Sequence, residues 1–310
     1  MSYVLGDLHR EGAVLDYPVG GSGSIVSALV NALKRHGGEL RLGTHVEQVL
    51  VENGRAVGVK VAKGDKVIRA KRAVVMNADR WAAMKLLPEG SIPDAKREEC
   101  DSTPVTMSFM HLHLGIEGPL PVGTDPHYTV VQRWNDTLGE QNMMAVSLPT
   151  VLDPTLAPEG HHIIHAYAAA NEPYDLWKGM DRRSEIYKKL KEERAETLWK
   201  AVERIVPDVR SRAKTILIGS PLTHERFNRR SYGTYGPALK EGGKAFPTPD
   251  DIPLKNFYSC GDCVFPGVGV PAVAVSGANV ANTCVGPLKH LGLVAEASKA
   301  AASAGLQGGD

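Results

Sequence analysis

The sequence predicts an α/β protein interrupted by an inserted α+β region with a mixed sheet. Three observations predict this class. A short apolar run at residues 73–76 reads as a buried parallel strand, and far along the chain residues 256–262 read as a second buried strand ending in Gly-Asp. A helix rich in small residues (Ala272, Ala274, Ser276, Gly277, Ala278, Ala281) follows the second run. Between the two runs lie strand-like segments and one long amphipathic helix. A chain of 310 residues is long enough for one large domain or two ordinary ones. Its formal net charge of +1 gives no field that points to nucleic acid or anionic lipid. No stretch reaches the roughly eighteen consecutive apolar residues of a spanning helix. Four cysteines are too few for a disulfide framework and suit a reducing compartment.

The elements follow in order. Residues 1–7 carry neither the apolar core of a signal peptide nor the Arg/Ser-rich run of a transit peptide. The next distinctive stretch, Tyr17-Pro18-Val19-Gly20-Gly21-Ser22-Gly23, reads as the interior of a domain. The chain therefore reads as shortened at its front, with a compact leader before the first strand as the alternative. Ile25, Leu29, Ala32 and Leu33 recur at helical spacing over residues 24–36. Ser22 or Ser24 is positioned to cap that helix, and Gly37-Gly38 stops it. Residues 46–51 form a strand ending at Asn53-Gly54, a hairpin signal because both residues tolerate positive φ. Residues 56–61 return, Lys63-Gly64-Asp65 turns again, and residues 66–70 make a third strand. The apolar run 73–76 then ends at Asn77-Ala78-Asp79.

In the middle, residues 106–114, 142–148, 162–168 and 215–218 have strand patterns, and 153–160 has loop chemistry. Leu190, Leu198, Val202 and Ile205 mark the apolar side of a helix over residues 184–206, ended by Pro207. The mixed charges on its other side make a solvated face. Residues 228–255 are rich in Gly, Pro and Lys and read as surface loop.

The sharpest chemistry is C-terminal. Residues 256–262 read as a buried strand ending in Gly261-Asp262, followed by Pro266-Gly267-Val268-Gly269-Val270-Pro271 and a helix. An Asp at the carboxyl end of a strand accepts hydrogen bonds from sugar or ribityl hydroxyls. Glycines let backbone approach a flat ring. A helix N-terminus with proline in its first turn presents free N–H groups and a positive dipole end. An αβ junction that merely needs tight turns carries the same pattern.

This C-terminal run resembles the flavin motif of the FAD-dependent amine oxidase and phytoene desaturase superfamily, and within it the carotenoid (prolycopene) isomerase group. The resemblance extends to Tyr17-Pro18-Val19-Gly20-Gly21, Gly54-Arg55-Ala56-Val57-Gly58-Val59, and Asn77-Ala78-Asp79-Arg80-Trp81 with Leu86-Leu87-Pro88. Ser147-Leu148-Pro149-Thr150-Val151-Leu152-Asp153-Pro154 with Leu156-Ala157-Pro158-Glu159-Gly160-His161-His162, and Gly233-Thr234-Tyr235-Gly236-Pro237, are its most specific parts. It covers about residues 15–290 and implies an incomplete Rossmann-like FAD-binding domain. Residues 1–80 and 256–290 belong to that domain, residues 81–255 to the inserted substrate domain, and 291–310 to a tail.

The family's G-x-G-x-x-G turn, which holds the FAD pyrophosphate, has no counterpart in this sequence. Gly21-Ser22-Gly23 and Gly267-Val268-Gly269 are partial matches in the wrong setting. The resemblance places the backbone of Val46 against the adenine and Asp262 on the ribityl or phosphate portion. Gly269, Val270 and Pro271 fall beside the isoalloxazine ring. No catalytic acid or base transfers. The implied reaction is cis–trans isomerisation of a carotenoid polyene (prolycopene to all-trans-lycopene type), redox-neutral through reduced flavin. The alternatives are a polyene desaturase or saturase, or a non-catalytic remnant that binds a pigment or partner. The implied setting is the chloroplast, peripheral to a membrane, or the cytoplasm or thylakoid of a cyanobacterium. No nucleic acid is expected. The missing segment or a protein partner would cover the open sheet edge.

Other residues invite chemistry less strongly. Cys260-Gly261-Asp262-Cys263 is a C-x-x-C, with Cys263 most simply replacing a small polar residue. His111 and His113 point the same way on a strand, and His161, His162 and His165 cluster in sequence. With no carboxylate at a ligand spacing, no metal is assigned. Arg226, Arg229 and Arg230 read as surface or interface charges.

Overall fold

The computed structural model describes residues 17–62, 64, 66–136, 139–238, 246–285 and 287–303. In chain order its elements are α1 (Gly23–Arg35), β1 (Val46–Glu52), β2 (Arg55–Val61), β3 (Val67–Arg69), β4 (Val74–Met76), α2 (Arg80–Leu86), α3 (Asp94–Asp101), β5 (Ser108–Glu117), β6 (His127–Val131), β7 (Met143–Ser147), β8 (His161–Glu172), α4 (Glu185–Glu203), α5 (Val209–Arg212), β9 (Ala213–Gly219), α6 (Pro221–Asn228), β10 (Phe257–Ser259), α7 (Val270–Cys284) and α8 (Pro287–Ser303). The result is an α/β protein with open sheets, divided into two compact units. One holds Val105–Tyr235 and the chain up to Gly43; the other holds Thr44–Pro104 and the described chain from Gly236 onward.

In the second unit β1, β2 and β3 form an antiparallel meander. Asn53 (φ 50°) and Gly54 (φ 69°) both adopt left-handed backbone, as a two-residue hairpin with the right twist demands. Lys63 and Asp65 of the expected next turn lie outside the described residues. β10 pairs parallel with β4, Phe257 opposite Val74 and Ser259 opposite Met76. Lys255, just before β10, accepts from Ala56 N–H at 2.8 Å and donates to the Gly54 carbonyl at 3.2 Å, joining meander and strand pair. Val49, Ala56, Met76, Ala83, Met84, Leu87, Ile92, Cys100 and Phe257 pack into one core. This core draws α2 and α3 onto the strand pair. By packing, the second unit takes in α2 and α3 and is bounded at Pro104 and Gly236. The segment read as a tail from residue 291 continues α8 to Ser303.

The first unit is built on a five-stranded sheet in the order β6–β7–β8–β5–β9. Every neighbouring pair is antiparallel, so the inserted sheet is not mixed as expected. No crossover helix joins successive strands β6, β7 and β8, and parallel pairing requires such a crossover. One face is apolar: Met110, Leu112, Leu114, Ile116, Val146, Ile164 and Ala166 pack with Ala195, Leu198 and Val202 of α4. Ser184 caps α4 by accepting from Tyr187 N–H at 3.2 Å. The expected helix α1 forms, but none of its residues is buried, and Leu29 is 67% exposed. Ser22 takes the N-cap position without a side-chain bond, while Ser24 Oγ donates back to the Gly21 carbonyl at 2.7 Å. The turn before α1 is fastened elsewhere, by the Asp153 carboxylate accepting from Gly20 N–H at 2.8 Å.

Candidate functional site

Because β4 and β10 run parallel, their carboxyl ends meet at one edge, and the expected site residues follow from that edge. Cys260 N–H donates to the Met76 carbonyl at 2.9 Å, extending the pairing one step. Gly261 then turns with φ 100°, and a Cβ there would sit 2.2 Å from Asn77 Oδ1. Only glycine fits both constraints. Its N–H donates to Ser276 Oγ of α7 at 3.1 Å, a buried bond that fixes the turn against the helix. Asp262 is half-buried, and its carbonyl is 3.0 Å from where a Cβ on Gly236 (φ 120°) would stand. The place of Gly236 beside Asp262 is set by the fold, and no local pattern around residue 236 announces it.

Gly267 (φ 110°) packs under Phe246, and Gly269 (φ 107°) is the N-cap of α7 with no side-chain cap. Val273 N–H already donates to the Gly269 carbonyl at 2.9 Å, and Pro271 has no N–H to offer. The first-turn donors of a 15-residue helix therefore stand beside bare glycine backbone, with nothing within 4 Å of a Cβ on Gly269. Val270 is 64% exposed. Asp262 thus follows the end of β10, and Gly269, Val270 and Pro271 open the helix to which Gly261 is bonded through Ser276. Val46 lies at the start of β1 opposite Val61, next to a bulge, in the meander of the same unit. Burial pushes the Cys260 thiol up, away from thiolate chemistry, and Cys263 is buried and forms no disulfide. The C-x-x-C is a packed turn.

A second cluster lies on the face of the five-stranded sheet opposite the apolar core. The register puts His113 against His165 and, one row along, His111 against Tyr167. His113 and His165 stack at 4.1 Å between ring centroids, and His111 Nδ1 shares a 2.8 Å hydrogen bond with His165 Nε2. The His113–His165 row continues through Ser147 to His127, whose Nδ1 and the Ser147 Oγ are 3.2 Å apart. Phe109 and His224 flank His111, and His224 Nδ1 bonds the Tyr235 hydroxyl at 3.0 Å. Burial first, then neighbouring imidazoles, push His111 down to about 2. Burial likewise takes His165 and His224 to about 4, and it lowers His113. His161 and His162 do not join: His161 engages the Glu159 carbonyl, and His162 engages Thr150. Arg226 and Arg230 lie over Phe227 and Tyr235, and Arg230 also donates to the Thr234 carbonyl.

No protein-family model matches the chain. It is 35% identical over 286 residues to the chloroplastic prolycopene isomerase of Daucus carota, covering 89% of this chain and 45% of that protein. The Arabidopsis thaliana prolycopene isomerase is 32% identical over 283 residues, 89% of this chain and 46% of that one. A neurosporene-forming phytoene desaturase of Rhodobacter capsulatus is 27% identical, over 86% of this chain and 52% of that one. The chain spans about half the length of the curated relatives it matches. Among solved structures, an oxidoreductase from Methanosarcina mazei superposes with a TM-score of 0.61 at 23% identity, over 85% of this chain and 54% of that one. A putrescine oxidase double mutant gives 0.55 at 15% identity, over 86% and 53%. These two likenesses define the fold. The chain is homologous to prolycopene isomerases and phytoene desaturases over nearly nine-tenths of its own length, and it shares its fold with these two oxidoreductase structures.

Proposed function

We propose that this chain supplies the flavin-ring and polyene-facing parts of a FAD-dependent enzyme that isomerises a carotenoid of the prolycopene type. The observation that carries this reading is the uncapped N-terminus of α7 beside Gly269, at the edge where β4 and β10 end. The residues there fit a flat, electron-accepting ring. The space a Cβ on Gly269 would fill is open, and the helix presents N–H donors to negative charge. Similarity at 35% to prolycopene isomerases, against 27% to a phytoene desaturase, favours isomerisation over desaturation.

A bound flavin supplies reversible electron transfer to a conjugated substrate. Everything else falls to the chain. Gly269 and Pro271 would set the ring against bare backbone, and the α7 dipole would favour its anionic form. Asp262 would accept from ribityl hydroxyls, and the Val46 backbone would meet the adenine. Val268 and Val270, both exposed, offer an apolar surface to a long hydrocarbon. Such a substrate dissolves in lipid, so we place the protein at a membrane surface in a plastid or a cyanobacterium. No described helix is long and apolar enough to cross a membrane.

The test is a visible absorbance spectrum of the full chain after incubation with FAD and desalting, then chromatography of prolycopene exposed to the protein with reduced and with oxidised FAD. We expect retained flavin and all-trans product with the reduced form only. A folded chain that retains no flavin and leaves prolycopene unchanged overturns the proposal. A product with more double bonds replaces isomerase by desaturase.

A further inference from the structure

The three strand histidines His111, His113 and His165 belong to the five-stranded unit, and nothing in the proposed flavin chemistry uses them. One ring nitrogen from each can be chosen so that all three lie within 4.8 Å of one another. We propose that His111, His113 and His165 bind a divalent transition-metal ion of the zinc class.

The sheet brings the ligands together. His111 and His113 are two apart on β5, so they share a face, and His165 stands directly across from His113 on β8. Three imidazoles are an established donor set for a tetrahedral ion with one position open to water. Zn–N bonds of about 2.0–2.1 Å hold ligand nitrogens roughly 3.3 Å apart. The 2.8 Å His111–His165 separation brackets that value from below, and the 4.8 Å limit of the trio brackets it from above. His113 and His165 are stacked, so their lone pairs converge only when the rings turn about χ2, a broad and soft torsion.

A second observation points to a ligand here. His111 Nε2 and His224 Nε2 are both buried without a hydrogen-bond partner, on rings 4.8 Å apart. A buried orphan of this kind costs about 1–3 kcal/mol.

The experiment is calorimetric titration of Zn²⁺ into the chelator-stripped full chain, with Co²⁺ absorption as the readout of coordination geometry. One ion per chain and a four-coordinate Co²⁺ spectrum are expected. His113 is exposed, so His113→Ala should keep the fold, as circular dichroism will check. His113→Ala and His165→Ala should each weaken Zn²⁺ binding more than about tenfold, because losing even an outer-shell partner of a metal site costs that much. His127→Ala, at the far end of the row, should leave the affinity unchanged. No binding by the folded wild type overturns the proposal. So does binding that survives both substitutions, which marks adventitious surface histidines. Flavin retention plays no part in these readouts.

Discussion

Glu172→Gln should destabilise the five-stranded unit by about 3 kcal/mol. Glu172 ends β8, is fully buried, and is the acceptor for four donors. Trp177 Nε1–H reaches it at 2.8 Å, Arg194 Nη2 at 2.8 Å and Nε at 3.0 Å, and Gln141 Nε2 at 3.2 Å. Breaking a buried ion pair by removing one partner costs about 3–5 kcal/mol, because the other charge is left uncompensated. Arg194 also pairs with the more exposed Glu140, which holds the expected cost at the lower end. Urea unfolding followed by tryptophan fluorescence measures it directly, since Trp177 is fully buried beside the substituted group. Adding Arg194→Met should recover part of the loss, as apolar replacement of a whole buried pair is often neutral. A loss under about 1 kcal/mol for Glu172→Gln would refute the reasoning, as would a double variant no better than the single one.

Three further perturbations probe other parts. Gly261→Ala places a Cβ against Asn77 at a φ of 100° and should cost about 1–3 kcal/mol by denaturation, with loss of flavin retention. Asp79→Ala removes the carboxylate that accepts from Ala82 N–H at 2.7 Å, and should destabilise the second unit by about 1 kcal/mol without changing metal binding. The Asp153 carboxyl is held below its ordinary value by hydrogen bonds from the Thr155 side chain and the Gly20 N–H. A carboxyl depressed in the folded state stabilises above its unfolded pKa of about 4 and loses that contribution as pH falls through the folded value. The Gly20 amide resonance should therefore shift, and its exchange quicken, below pH 4 and not between pH 5 and 8.

What the sequence made legible was local. Asn53-Gly54 announced a hairpin because left-handed backbone at two successive residues is rare outside such turns. Ser184 and Pro207 bracketed α4 because capping and the missing proline N–H act within a turn. The start of α7 was legible because a glycine followed by proline in the first turn marks a helix N-terminus. Pairing between distant strands was not legible. Nothing in His165 announces that β8 sets it opposite His113, so an i, i+2 pair of histidines looked incomplete without a carboxylate. The inserted sheet was expected to be mixed, and its pairing sense is set by contacts between strands far apart in the chain. β6 escaped notice since His127–Val131 is short and only Val130 is buried. α1 shows the converse: helical periodicity foretold the helix, and its apolar stripe remains exposed.

The pairing of β4 with β10 has a consequence for how the protein is made. Val74 leaves the ribosome long before Phe257, and at about 5–20 residues per second the wait is on the order of ten to forty seconds. Through that interval β4 has a free edge on the side β10 will occupy, an invitation to pair with another nascent chain. The strand is only three residues long, which limits what such an encounter can gain. The edge where β4 and β10 end thus closes late, only after β10 and the helix α7 that follows it have been translated.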